Sequence, residues 1–138
     1  MMDLALWLAG AGHFTLVAVS VQVPARLGWR TDLAKLTAFN RSFVWVAGGY
    51  LVFNYLSFGV LTLLLHDEMV RGDRSAVALA AFIGLYWLGR VVIDATSFRN
   101  APWPPGRLFR LGHAALVALF GYFAVVYLGL AASHLAGG

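Results

Sequence analysis

Four apolar stretches, each long enough to cross a lipid bilayer, take up nearly the whole chain and leave only short polar connections between them. They run over about residues 4–23, 43–65, 76–98 and 108–134. At 1.5 Å of rise per residue, about 20 residues of helix cross a hydrocarbon core of roughly 30 Å. Lipid offers no water to backbone amides and carbonyls, so each stretch must satisfy them internally as helix. The expected fold is therefore all-α: one domain, a four-helix transmembrane bundle whose short connections make successive spans antiparallel. Composition agrees. Of 138 residues 61% are hydrophobic and 12% charged, about half the charge of a soluble domain. Intrinsic disorder needs the opposite balance.

Boundaries follow from the residues that interrupt each run. The first span stops at Pro24, and Arg26, Trp29 and Arg30 then read as an interfacial anchor. Met1-Met2-Asp3 lacks the basic leader of a secretion signal, so this span is expected to persist as a membrane helix. Residues 31–41 predict a short interfacial helix, or an extension of the second span. Thr31 or Asp32 would cap it, and Leu33, Leu36 and Phe39 would form its apolar stripe. His66-Asp67-Glu68 closes the second span, and Asp73 or Ser75 is placed to cap the third. Pro102, Pro104 and Pro105 make residues 100–106 a predicted turn, with Trp103 at the membrane surface.

The formal net charge is +4, and its distribution assigns it to membrane topology rather than to nucleic acid. Arg26, Arg30, Lys35 and Arg41 lie between spans one and two, and Arg99, Arg107 and Arg110 between spans three and four. The remaining connection offsets Arg71 and Arg74 with Asp67, Glu68 and Asp73. The positive-inside rule then puts both termini and residues 66–75 outside, in what is expected to be a bacterial inner membrane. The chain has no cysteine, so disulfides and thiolate-held metals are excluded. The histidines and acids show none of the spacings of zinc or di-iron sites, and no metal is expected.

Depth along the spans predicts two polar layers. His13 and Asn54 fall near the midplane, where they are expected to join across a helix interface. Tyr86, Arg90 and Asp94 follow at i, i+4, i+8 on one face of the third span, with His113 at similar depth on the fourth. A charged side chain inside a membrane costs about 2.5–3.5 kcal/mol at the helix centre on insertion scales, so such residues tend to face the bundle interior and mark sites. Tyr86, Arg90, Asp94 and His113 are accordingly the candidate ligand-binding set, suited to a quinone, a lipid headgroup or haem. His66 and His134 share the outer level and are expected to be solvated. The tripeptide Arg71-Gly72-Asp73 reads as a chance occurrence in a polar connection. Ala9-Gly10-Ala11-Gly12, Gly48-Gly49, Gly59 and the row Ala114, Ala118, Gly121 are predicted close-packing positions. Trp7, Trp29, Trp45 and Trp103 belong to an interfacial belt, while Trp87 alone is deep.

Small size and the lack of room for any extramembrane domain favour an accessory or assembly subunit of a larger membrane complex, in contact with lipid and with other subunits or its own copies. The alternative is an electron- or proton-transfer, lipid-binding or quinone-binding protein that uses the Tyr86–Arg90–Asp94 face with His113. A minimal oligomeric transporter is the third reading, resting on His13 and Asn54.

Overall fold

Each apolar stretch folds as one long helix in the computed structural model, which describes residues 2–96 and 106–137. Seven helices follow in order among these residues: α1 (Met2–Ser20), α2 (Val23–Arg26), α3 (Trp29–Leu33), α4 (Ala38–Leu64), α5 (His66–Arg71), α6 (Arg74–Thr96) and α7 (Arg107–Gly137). α1 with α2, α4, α6 and α7 supply four segments long and apolar enough to span a membrane. The fold is an all-α four-helix bundle. Apart from Gly106, the turn predicted over residues 100–106 lies outside the described residues.

The connection between the first two spans is built rather than slack. Pro24 sits in the first turn of α2, where its missing amide costs nothing. Gly28 then takes φ 71°, a left-handed conformation suited to glycine, and turns the chain into α3. The helix predicted over 31–41 is divided in two by Thr37. With ψ 158° Thr37 leaves the helix, and its hydroxyl accepts from the Asn40 amide at 3.3 Å, capping α4. Arg41 reaches back and donates to the carbonyls of Leu33 (3.1 Å), Ala34 (3.4 Å) and Leu36 (3.1 Å). These carbonyls lie at and just after the end of α3, where the helix supplies few donors of its own; the Leu33 carbonyl also accepts from the Leu36 amide at 3.1 Å.

At the opposite end, Gly72 closes α5 with φ 90°, and its amide donates to the carbonyls of Glu68 and Met69. Arg71 and Asp73 pair with each other at 2.6 Å, and the guanidinium holds the Asp73 carboxyl below the usual range. Both groups are exposed, so the pair adds little stability.

The bundle consists of two antiparallel hairpins. α1 packs on α4, α6 packs on α7 along most of its length, and α1 also lies against α7. Glycines set the close approaches. A Cβ on Gly10 would sit 2.9 Å from Leu63 Cδ2, and one on Gly59 would sit 3.1 Å from the His13 Cβ and 3.3 Å from the Gly10 carbonyl oxygen. Gly10 of the predicted 9–12 patch and Gly59 therefore form the α1–α4 crossing, while a Cβ on Gly12 would sit 3.0 Å from the Phe123 ring of α7. Gly84 does the same for α6 and α7: its Cβ would meet Leu128 Cγ at 2.7 Å and the Leu128 backbone nitrogen at 2.9 Å. The row Ala114, Ala118, Gly121 is not part of this crossing. Ala114 and Ala118 are exposed, and nothing lies within 4 Å of a Cβ at Gly121 or Gly49. Gly48 meets only the Trp29 ring.

Candidate functional site

The centre of the bundle is a sealed layer of rings around His13. This imidazole is fully buried, stacked on Phe123 at 4.0 Å between centroids, with Phe58 edge-on at 5.8 Å. Its Nδ1 lies 2.8 Å from the Ala9 carbonyl, which can only accept, so Nδ1 carries the proton. Nε2 is then an acceptor and takes the indole N–H of Trp87 at 3.0 Å. Both nitrogens are engaged, which leaves no lone pair for iron. Asn54 is not a partner of His13: it is half-buried, and no hydrogen bond from its side chain occurs among the described residues. The predicted His13–Asn54 contact is replaced by His13–Trp87 because α1 faces α6 at this depth through the indole.

Three further bonds involve the neighbouring hydroxyls of the bundle core. The Tyr127 hydroxyl donates to Thr62 Oγ1 at 2.6 Å, while Thr62 donates to the Phe58 carbonyl at 2.7 Å. The Tyr122 hydroxyl donates to the Ala5 carbonyl at 2.7 Å. Thr62→Val keeps the shape of residue 62 but leaves the buried Tyr127 hydroxyl without its acceptor. The expected loss is about 1 kcal/mol, in the range measured for hydrogen bonds between membrane helices. Reversible unfolding in mixed SDS micelles would report it, and an unmoved midpoint would show that the bond contributes nothing.

The predicted polar face of the third span is partly assembled. Arg90 Nε donates to Asp94 Oδ2 at 3.4 Å, one turn apart on α6, and the guanidinium lies 5.4 Å from the Phe120 ring centroid. The Asp94 side chain is 4% exposed against 37% for Arg90. Asp94 Oδ1 is buried and accepts no hydrogen bond among the described residues, an unusual state for a carboxylate oxygen. Tyr86, one turn from Arg90, packs edge-on against Phe58 at 5.2 Å, and its hydroxyl is a partner of Tyr55. His113 lies half-buried in the second turn of α7. Tyr55 belongs with this group and escapes a reading confined to one helix, because it comes from α4.

His66 corrects the expectation of a solvated ring, for it is 2% exposed. Trp7 stacks on it at 3.8 Å. Its Nε2 faces the Asp3 carboxylate at 3.1 Å and the Asp3 carbonyl at 3.0 Å, and its Nδ1 faces Asp67 at 3.2 Å. The ring thus staples the start of α1 to α5. His134 packs against Gly72 nearby, where a Cβ would be 2.5 Å from the His134 Nδ1.

The outer surface of α4 carries a feature that hydropathy conceals. Phe39, Phe43, Val46, Tyr50 and Phe53 recur at alternating steps of four and three, and the series continues through Ser57 and Val60 to Leu64. Phe39 is 77% exposed, Tyr50 70% and Leu64 70%. Against the described residues, no residue of this helix from Ala38 to Asn54 is buried. In a span that is apolar all round, such spacing has no polar background to stand against, so only the fold reveals which face points outward.

The molecule is thus a membrane protein of the four-helix class, with a ring-filled core, a half-satisfied carboxylate on α6 and an unpartnered aromatic seam on α4. No family model, no curated protein and no solved structure matches the chain.

Proposed function

We propose that the chain is an accessory or assembly subunit of a larger membrane complex, docked on another membrane helix through the seam on α4. The observation that carries this reading is the exposed 4–3 repeat from Phe39 to Leu64. A repeat of 3.5 residues keeps one row of knobs facing a partner helix over many turns. Between membrane helices, where lipid removes the hydrophobic drive, packing of this kind supplies the affinity. The same reading places both termini and residues 66–75 on the outer face of a bacterial inner membrane. The basic connections support it, and so do the contacts of Asp3 with His66 and of Gly72 with His134, which gather those segments at one end.

Purification from the native membrane in mild detergent, followed by sizing and mass spectrometry, tests this directly. Wild type should travel with larger subunits, and the double variant Phe43→Ala/Tyr50→Ala should lose at least nine-tenths of them at unchanged helical content. A wild-type chain that runs alone, or a double variant that keeps its partners, would sink the proposal.

A second reading rests on the bare Asp94 Oδ1. Here Tyr86, Arg90 and Asp94, with His113, hold a lipid headgroup or a quinone. The guanidinium would receive a carbonyl or anionic oxygen, and Oδ1 would accept a donor from the ligand. The same preparation discriminates between the readings. A stoichiometric quinone or a haem absorption band that disappears with Arg90→Ala would favour ligand binding, whereas a colourless, quinone-free complex favours the subunit.

A further inference from the structure

The elbow between α1 and α4 encloses a cleft of about 460 Å³. Val21, Pro24 and Ala25 form one apolar wall and Trp45 of α4 contributes another; Gly28 and Arg30 complete the lining. A Cβ placed on Gly28 would meet nothing within 4 Å, so the space beside it is open. Arg30 makes no ion pair among the described residues, with Asp32 or with any other acid. Arg26 is held by the Gln22 side chain at 3.1 Å, and Arg41 is committed to the carbonyls that follow α3. The cleft therefore joins one uncompensated guanidinium to apolar walls.

We propose that this cleft binds one phospholipid with an anionic headgroup, its phosphate on Arg30 and the upper part of an acyl chain against Val21, Pro24 and Trp45. Three observations favour that occupant. The cleft lies where the first candidate span ends and the second begins, and the Trp29 and Trp45 rings, of the type enriched at membrane–water interfaces, meet there edge-on at 5.4 Å. The connection carries Arg26, Arg30, Lys35 and Arg41 against Asp32 alone, an excess that attracts anionic rather than zwitterionic lipid. Finally, the backbone is held in place by the left-handed Gly28 and by the three carbonyls bound to Arg41, so little ordering remains to oppose binding.

Native mass spectrometry of the full chain in mild detergent tests the site. The protein is given equal amounts of phosphatidylglycerol and phosphatidylcholine with identical acyl chains. Wild type should retain one phosphatidylglycerol in preference to phosphatidylcholine. Arg30→Ala, at an exposed position, should lower that preference about tenfold, the effect of one lost charge-assisted bond. Ala25→Phe should fill the cleft and release the retained lipid with every charge in place. Arg74→Ala, an exposed cation at the far end of the bundle, should change nothing. The proposal fails if Lys35→Ala, outside the cleft, costs as much as Arg30→Ala, for the attraction is then diffuse. It fails equally if Ala25→Phe keeps the lipid. Displacement by millimolar inorganic phosphate would show an anion site without a lipid and would overturn it too.

Discussion

Trp87→Ala is expected to destabilise the bundle by about 3–5 kcal/mol, the usual cost of emptying a buried indole site. The residue is fully buried, stacked on Phe120 at 4.8 Å, and touches rings from α1, α4 and α7. Truncation removes that packing and also strips the donor from His13 Nε2, leaving a buried acceptor unpaired. Trp87→Phe separates the two effects, since it keeps most of the ring and loses only the N–H. Its expected cost is about 1 kcal/mol. Unfolding in mixed SDS micelles, followed by circular dichroism, measures both. Equal losses from the two variants would mean that the hydrogen bond, not the packing, holds this layer together.

Gly84→Ala should be the most damaging of the small substitutions, at about 1–3 kcal/mol. The added methyl would lie 2.9 Å from the backbone nitrogen of Leu128. A side-chain tip can rotate away, but a backbone atom moves only if α6 and α7 separate. Gly121→Ala is the matched control. Nothing stands within 4 Å of its Cβ position, and alanine is the better helix former by about 0.8–1.0 kcal/mol, so this variant should be neutral or slightly stabilised. If the two substitutions shift unfolding by the same amount, the glycine-mediated approach of α6 to α7 is not what the geometry indicates.

The contrast between these glycines also marks how far the chain could be read without its fold. Span number and span ends to within a few residues follow from hydropathy alone, because lipid imposes them on any helix; depth set Trp87 apart from the other tryptophans, but its burial needed the fold. Gly10 and Gly59 were legible too, each lying in an apolar span whose close packing needed small residues. Gly84 was not, since small residues at 114, 118 and 121 offered α7 an equally plausible face, and only the rotation of each helix chooses between them. The same indeterminacy misassigned the partner of His13. Depth placed Asn54 level with it, but helix rotation brought an indole N–H instead. Depth did place Arg90 beside Asp94, because i, i+4 neighbours need no tertiary information. Tyr55 had no such neighbour in sequence. His66 escaped because its burial depends on Trp7 and Asp3, which lie far away in sequence at the start of α1.

Three hydrogen bonds that join the two hairpins share a property of direction. Trp87 of α6 donates to His13 of α1, Tyr127 of α7 donates to Thr62 of α4, and Tyr122 of α7 donates to the Ala5 carbonyl of α1. Each is donated by the C-terminal hairpin to an acceptor on the N-terminal one. As the chain emerges from the ribosome, its first two helices thus enter the bilayer with His13 and Thr62 still lacking the indole and phenol that will meet them. The first half is a template, and the second half is read against it like an incoming subunit. The two hairpins, joined by the short helix α5, meet as complementary halves, acceptors on the first and donors on the second.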